Sequence, residues 1–306
     1  MTFPITAIGL AAFCVLAVLP VGAQNSSDAI KVVGIVDLPN YRRALIEQTN
    51  SYRERETWIV QQGERDGRFQ VTAINPQERK VKFKVSGVEG ESELLLRAGG
   101  PPSTESGNTD KKSLVLNEVD LHSMLSLLGQ LSGKTLLRHP RLTTQRFSLS
   151  AAPADRNEAV TVLEQALAER EIVCIKDGQK FIMIVPKSEE RNVHPASDEP
   201  KQSVPSDGSN PARADDKDTE VMQPGIIDFR AMDLSNAFYF YTQLVGGKPD
   251  QESSARVQGA PLILQNQTPF TRAEAKYALD TLFAWQGFKA VRSGDGTVQL
   301  QKIEAK

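Results

Sequence analysis

The sequence predicts a multidomain chain: a small all-β barrel or sandwich, then two α+β modules of β-α-β-α-β-β order, joined by disordered linkers. Three observations predict it. Residues 30–96 alternate apolar and polar side chains with the two-residue period of half-buried strands. Residues 113–186 and 225–304 repeat one pattern of strands and capped helices. Residues 97–112 and 187–224 have no hydrophobic period and are rich in Gly, Pro, Ser and charge, so they bury too little apolar surface to offset the entropy of ordering.

Residues 1–24 read as a signal peptide or membrane anchor. From Ile5 to Ala23 the chain is apolar, and no charged side chain precedes Asp28. Pro20 and Val21-Gly22-Ala23 before Gln24 match the small-residue cleavage site of an export signal. The run is also long enough to cross a bilayer as an uncleaved inner-membrane anchor, and no Lys or Arg stands before it, so both readings stay open. Either one implies export of the remaining chain.

In residues 30–96, Lys31-Val32-Val33-Gly34-Ile35-Val36 reads as a strand and residues 40–48 as one short helix. Trp58-Ile59-Val60, Phe69 to Ile74, Val81 to Val85 and Leu94-Leu95-Leu96 are further strands. Turn chemistry separates them at Gly63, Asp66-Gly67 and Asn75-Pro76. Val81, Phe83 and Val85 alternate with Lys80, Lys82 and Lys84, which predicts one buried and one wet face.

In the first repeat, Asp120 caps a helix carrying Leu121, Met124, Leu125, Leu128 and Leu131 at helical spacing. In the second, Asp233 precedes Leu234, Ala237, Phe238, Tyr241 and Val245. Both helices end on Gly before Lys, at Gly133-Lys134 and Gly246-Gly247-Lys248. A strand follows, over 145–150 or 260–265. A second helix then opens on Asp155…Glu158 or Thr271…Glu274, the spacing of a capping box. Each copy closes with a hairpin, around Asp177-Gly178 or Ser293-Gly294-Asp295-Gly296. The expected unit is one small sheet with two helices on one face.

These residues carry two resemblances. Val33-Gly34-Ile35-Val36, Arg43-Ala44-Leu45-Ile46, Val60-Gln61-Gln62-Gly63-Glu64, Val71-Thr72-Ala73-Ile74 and Val81 to Val85 make residues 30–96 similar to the homology-region domain. That domain is shared by the C protein of type II secretion and the P protein of type IV pili. The Asp-Leu helix starts, Gly-Lys helix ends and capped second helices make 113–186 and 225–304 resemble the periplasmic N-terminal domains of secretins. Only three residues follow Ile303, so no outer-membrane barrel is expected. The resemblance implies a non-enzymatic periplasmic adaptor. Its partners would be a separate secretin and inner-membrane assembly components, and a homo-oligomer is left open. The competing expectation is a periplasmic cell-wall- or solute-binding protein.

Charge and motifs narrow the chemistry. With 36 Lys and Arg against 38 Asp and Glu the net charge is -2, which gives no basic field for nucleic acid. Two Cys and three His supply neither a disulfide framework nor zinc-ligand spacing. No nucleophile elbow, H-E-x-x-H or phosphate loop occurs, so no catalytic, cofactor or metal residue is expected. Cys174 reads as a small apolar residue of a strand. The candidate partner-binding residues are Tyr239 and Phe240, in an aromatic run that cannot all face one core, and the row Lys80, Lys82 and Lys84. The lysine row reads first as a solvated face that discourages edge pairing and second as an electrostatic docking patch.

Overall fold

The computed structural model describes residues 30–49, 55–66, 69–86, 90–96, 112–193, 195, 220–250 and 258–303. The apolar run at 5–23, most of both linkers, and His194 lie outside the described residues.

The strands β1 (Ile30–Leu38), β2 (Tyr41–Thr49) and β3 (Arg55–Gln61) pair antiparallel in succession. Residues 40–48, expected as a helix, are therefore largely strand. Arg42 to Gln48 suit a helix locally, but Ala44, Leu45 and Ile46 are each fully buried. A strand between two neighbours and covered on both faces buries all three, whereas a surface helix would bury one stripe. A second sheet holds β4 (Arg65–Asp66), β5 (Phe69–Asn75), β6 (Lys80–Val85) and β7 (Ser92–Leu95) in that order. Val32, Ile35, Ile46 and Val60 of the first sheet pack on Phe69, Val71, Val81 and Phe83 of the second. The arrangement is two packed sheets and not a closed barrel.

The first sheet does not stop at the first segment. β8 (Ser113–Asp120) pairs with β1, and β10 (Arg146–Ala151) with β8, so the strand order is β10-β8-β1-β2-β3. A bulge between Val32 and Gly34 makes this joint two-sided. One extra residue flips the alternation, so Val32 and Ile35 face the second sheet while Val33 and Val36 face the helices.

The first repeat continues with α1 (Leu121–Ser132), β9 (Thr135–Arg138), α2 (Arg156–Ala168), β11 (Ile172–Asp177) and β12 (Phe181–Pro186). Asp120 accepts from the Ser123 N–H at 2.9 Å, and Gly133 closes α1 at φ 66°. Asp155 accepts from the Glu158 N–H, but the Glu158 carboxylate takes the Ala154 N–H, so the cap of α2 is only half a capping box. β9 runs parallel to β12, and β11 antiparallel to it. The unit is thus β-α-β-β-α-β-β with two sheets and the helices between them, where one sheet and one fewer strand were expected. Leu127 is buried as well as the predicted stripe because α1 is covered from two sides.

The second repeat has the same order with two short strands added. After β13 (Val221–Met222) come β14 (Asp228–Met232), α3 (Leu234–Leu244), β15 (Lys248–Pro249), β16 (Leu262–Gln265), β17 (Phe270–Thr271), α4 (Arg272–Trp285), β18 (Phe288–Arg292) and β19 (Thr297–Lys302). β14 pairs antiparallel with β16 as β8 does with β10; β15 is parallel and β18 antiparallel to β19, as β9 and β11 are to β12. α4 carries the full capping box of Thr271 and Glu274.

The edges of the expected 187–224 linker are structured. Lys187–Asn192 form a 3-10 helix, Val193 is buried in the core of the second repeat, and β13 pairs with β17.

Candidate functional site

The predicted partner residues fall in two separate places. On α3, Phe238 and Tyr241 are buried in the core, which turns Tyr239 outward at 57% exposure. Phe240 is half-buried, with its ring edge-on to Phe229 at 5.3 Å. The lysine row lies on β6, an interior strand between β5 and β7, so it guards no sheet edge. Lys80 stands 3.0 Å from Glu78 and 3.4 Å from Glu93, and Lys82 3.9 Å from Glu93. Glu78 first and Glu93 second hold the Lys80 amine above its usual range. Lys82 and Lys84 are exposed. The structure does not bring Tyr239 and Phe240 together with the lysines, because one set belongs to the second repeat and the other to the outermost sheet.

Two His and one Cys have defined surroundings. Burial lowers the pKa of His139, whose ring stacks at 5.1 Å on Trp285 and whose Nδ1 accepts from the Arg141 N–H. Nδ1 is then unprotonated and the proton of the neutral ring is on Nε2. His122, also lowered by burial, lines a crevice of about 30 Å³ with Leu125, Arg138, Ile263 and Gln265. That is room for one or two waters. Burial, with Glu164 beside it, pushes the Cys174 thiol up to about 12, far from the range of a nucleophile. Among the described residues no three His, Cys, Asp or Glu converge to hold a metal, and no helix is long and apolar enough to cross a membrane.

The densest polar geometry lies on the seams between units. At the first seam Tyr41, from β2, donates to Gln130 Oε1 of α1 at 3.0 Å. The guanidinium groups of Arg43 and Arg156 each sit 5.2 Å from its ring centre. Arg156 also donates to the last carbonyls of α1, Gln130 O at 2.7 Å and Leu131 O at 3.1 Å. Burial pushes the Tyr41 hydroxyl up to about 12 against the pull of the two arginines. Toward the other end of β2, Glu47 is 1% exposed and faces Lys31 at 3.0 Å, Arg55 at 3.9 Å and Arg146 at 4.0 Å. These are ion pairs without well-formed hydrogen bonds, and Arg146 ties β2 to β10 of the first repeat.

At the second seam, the face of β12 that carries Phe181, Met183 and Val185 packs into the core of the second repeat. Phe181 meets Phe270 at 5.1 Å and Tyr277 at 5.6 Å. The Tyr277 hydroxyl donates to buried Asp177 at 2.7 Å, and Lys180 to Glu274 at the same distance. Burial pushes the Glu274 carboxyl up, but hydrogen bonds from Lys180 and Thr271 outweigh it and leave the pKa lowered. A lowered carboxylate pKa stabilises the fold above the unfolded value of about 4.3 and loses that contribution as pH falls. Thermal unfolding between pH 6 and 3 is therefore expected to fall less steeply in Lys180→Met than in the parent; parallel profiles would contradict the assignment.

Neither seam was expected. A signal existed for the second: Phe181-Ile182-Met183-Ile184-Val185 is continuously apolar, as in a strand covered on both faces, whereas its counterpart Val298-Gln299-Leu300-Gln301 alternates.

Chemically, the arrangement joins β units through sheet edges, stacked rings and caged charges. No family model matches the chain, and no curated protein matches it.

Proposed function

We propose that the chain is a non-enzymatic periplasmic adaptor of a type II secretion or type IV pilus-like machine, binding a separate secretin and inner-membrane assembly components. One observation carries this reading. The chain holds two units in which one β-α-β-β-α-β-β order recurs, the second with the added pair β13–β17, preceded by a two-sheet segment whose first sheet runs on into the first unit. Such units associate through sheet edges and faces, which suits a part that works by contact. The resemblances of 30–96 to the homology region and of the two repeats to secretin N-terminal domains supply the partner classes, and the apolar run at 5–23 supplies export.

Affinity purification of the exported chain from its native envelope is expected to recover a secretin or a pilus or pseudopilus assembly protein. Recovery of neither refutes the proposal. Tyr239 is the aromatic offered outward, so Tyr239→Ala is expected to change folding stability by no more than about 0.5 kcal/mol. The same substitution should weaken capture at least ~10-fold, the loss typical of an interface anchor. Unchanged capture would remove Tyr239 from the interface.

A further inference from the structure

The two-sheet segment and both repeats meet at a cleft of about 540 Å³ beside the Tyr41 seam. Arg43 lines it from β2, Glu64 from the turn after β3, Arg65 from β4, Arg156 from α2 and Gln267 from the loop between β16 and β17. Three guanidinium groups and one carboxylate therefore face the same space, which leaves a surplus of two positive charges among the described residues. Like charges gathered in a concave site with low-dielectric walls repel, and a counter-ion removes that repulsion.

The arginines are held in place without being used up. Arg43 gives Nη1 to Glu64 at 2.8 Å, Arg156 gives Nη2 to the carbonyls that end α1, and Arg65 gives Nη2 to Ser86 Oγ. Tyr41 holds the first two guanidinium groups against its ring. A guanidinium has five N–H donors. Among the described residues, Nε and Nη1 of both Arg65 and Arg156 and Nη2 of Arg43 have no acceptor, and Arg43 Nε is buried without one. Arg65 and Arg156 are exposed, so a solute reaches them. Closing the end of α1 accounts for Arg156, and pairing with Glu64 accounts for Arg43. Neither role accounts for a third guanidinium in the same cleft with a single carboxylate to serve all of them.

We propose that this cleft binds a small polyanion, a molecule of metabolite size carrying two or more carboxylate or phosphate groups, with Arg43, Arg65 and Arg156 as its charge contacts. The planar guanidinium fork matches both kinds of oxyanion in paired hydrogen bonds. The cleft's volume is that of a small-molecule site and is far too small for a folded partner. Because its walls come from the two-sheet segment and from both repeats, an occupant braces all three against one another, and binding to the folded state alone raises stability. This inference does not rest on the adaptor reading.

The test titrates the full chain in non-ionic detergent at low ionic strength, with pyrophosphate in one arm and citrate in the other, and reads the heat of binding. Saturable binding with a Kd at or below ~1 mM is expected in at least one arm, and the tighter arm tells phosphate from carboxylate chemistry. The same anion should raise the unfolding midpoint above that in chloride of matched ionic strength. Arg65→Gln and Arg156→Gln should each weaken binding at least ~10-fold, the loss expected for one charge-assisted contact. Lys289→Gln, an exposed cation on β18 outside the cleft, should bind as the parent does. If Arg156→Gln fails to fold because the end of α1 loses its donor, Arg65→Gln decides. No saturable binding in either arm, parent-like binding by the arginine variants, or an equal loss in Arg65→Gln and Lys289→Gln overturns the inference.

Discussion

Replacing Phe181 by Ala is expected to destabilise the chain by about 3–5 kcal/mol, the cost of emptying a buried aromatic site. The ring is 6% exposed and sits between Phe270 and Tyr277 of the second repeat. Because it belongs to the first repeat but fills the core of the second, its loss acts on their union. The expected signature is therefore a lower denaturation midpoint together with a split of one unfolding transition into two. Asp177 and Tyr277 would be more exposed to water in the variant, so the Tyr277 hydroxyl should exchange its partner for solvent. A single transition with a loss under about 1 kcal/mol would mean that the seam relaxes around the cavity.

Gly34→Val acts on the other joint. A Cβ at Gly34 would stand 2.7 Å from Leu116 Cδ2, 3.2 Å from the Val115 carbonyl and 3.3 Å from Leu45 Cβ. Leu116 is 2% exposed and the carbonyl belongs to the neighbouring strand, so neither can retreat without opening the β1–β8 ladder. The expected cost is about 1–3 kcal/mol, as for overpacking a filled core. Amide exchange should accelerate from Leu114 to Leu116, more than in β2 or β3. Uniform acceleration across the whole first sheet would show that the joint is no weaker than the strands beside it.

Both predictions concern joints, and the joints separate what was legible in the sequence from what was not. The helices were legible because each announces its own start. Asp120, Asp233 and Thr271 accept N–H groups three residues on, and Gly133 adopts the left-handed conformation at the end of α1. Such signals are local, and their meaning does not depend on what packs nearby. The alternation of Val81 and Phe83 with lysines was legible for the same reason. That Tyr239 or Phe240 turns outward was legible because four consecutive aromatics exceed one helical stripe, and the fold chose Tyr239.

β2 shows the limit. Its Arg-Arg-Ala-Leu-Ile-Glu-Gln stretch favours a helix by propensity, but a strand position between β1 and β3 overrides a preference of a few tenths of a kcal/mol per residue. β9 and β15 were missed because they are short and take their pairing from β12 and β19, far along the chain. The role of Lys80, Lys82 and Lys84 depended on whether β6 is an edge, and strand order is not written in a strand's own residues.

The sequence by itself determined the helix caps, the wet and buried faces of the single-sided strands, and the apolar run ahead of them. Only the tertiary structure decided that β8 extends the first sheet, that β12 is shared between two cores, and that Glu47 and Tyr41 are caged by cations from separate elements. The physical reason is range. Helix caps and strand periodicity act over a few residues, whereas sheet order and core sharing are set by which distant surfaces bury the most apolar area against each other.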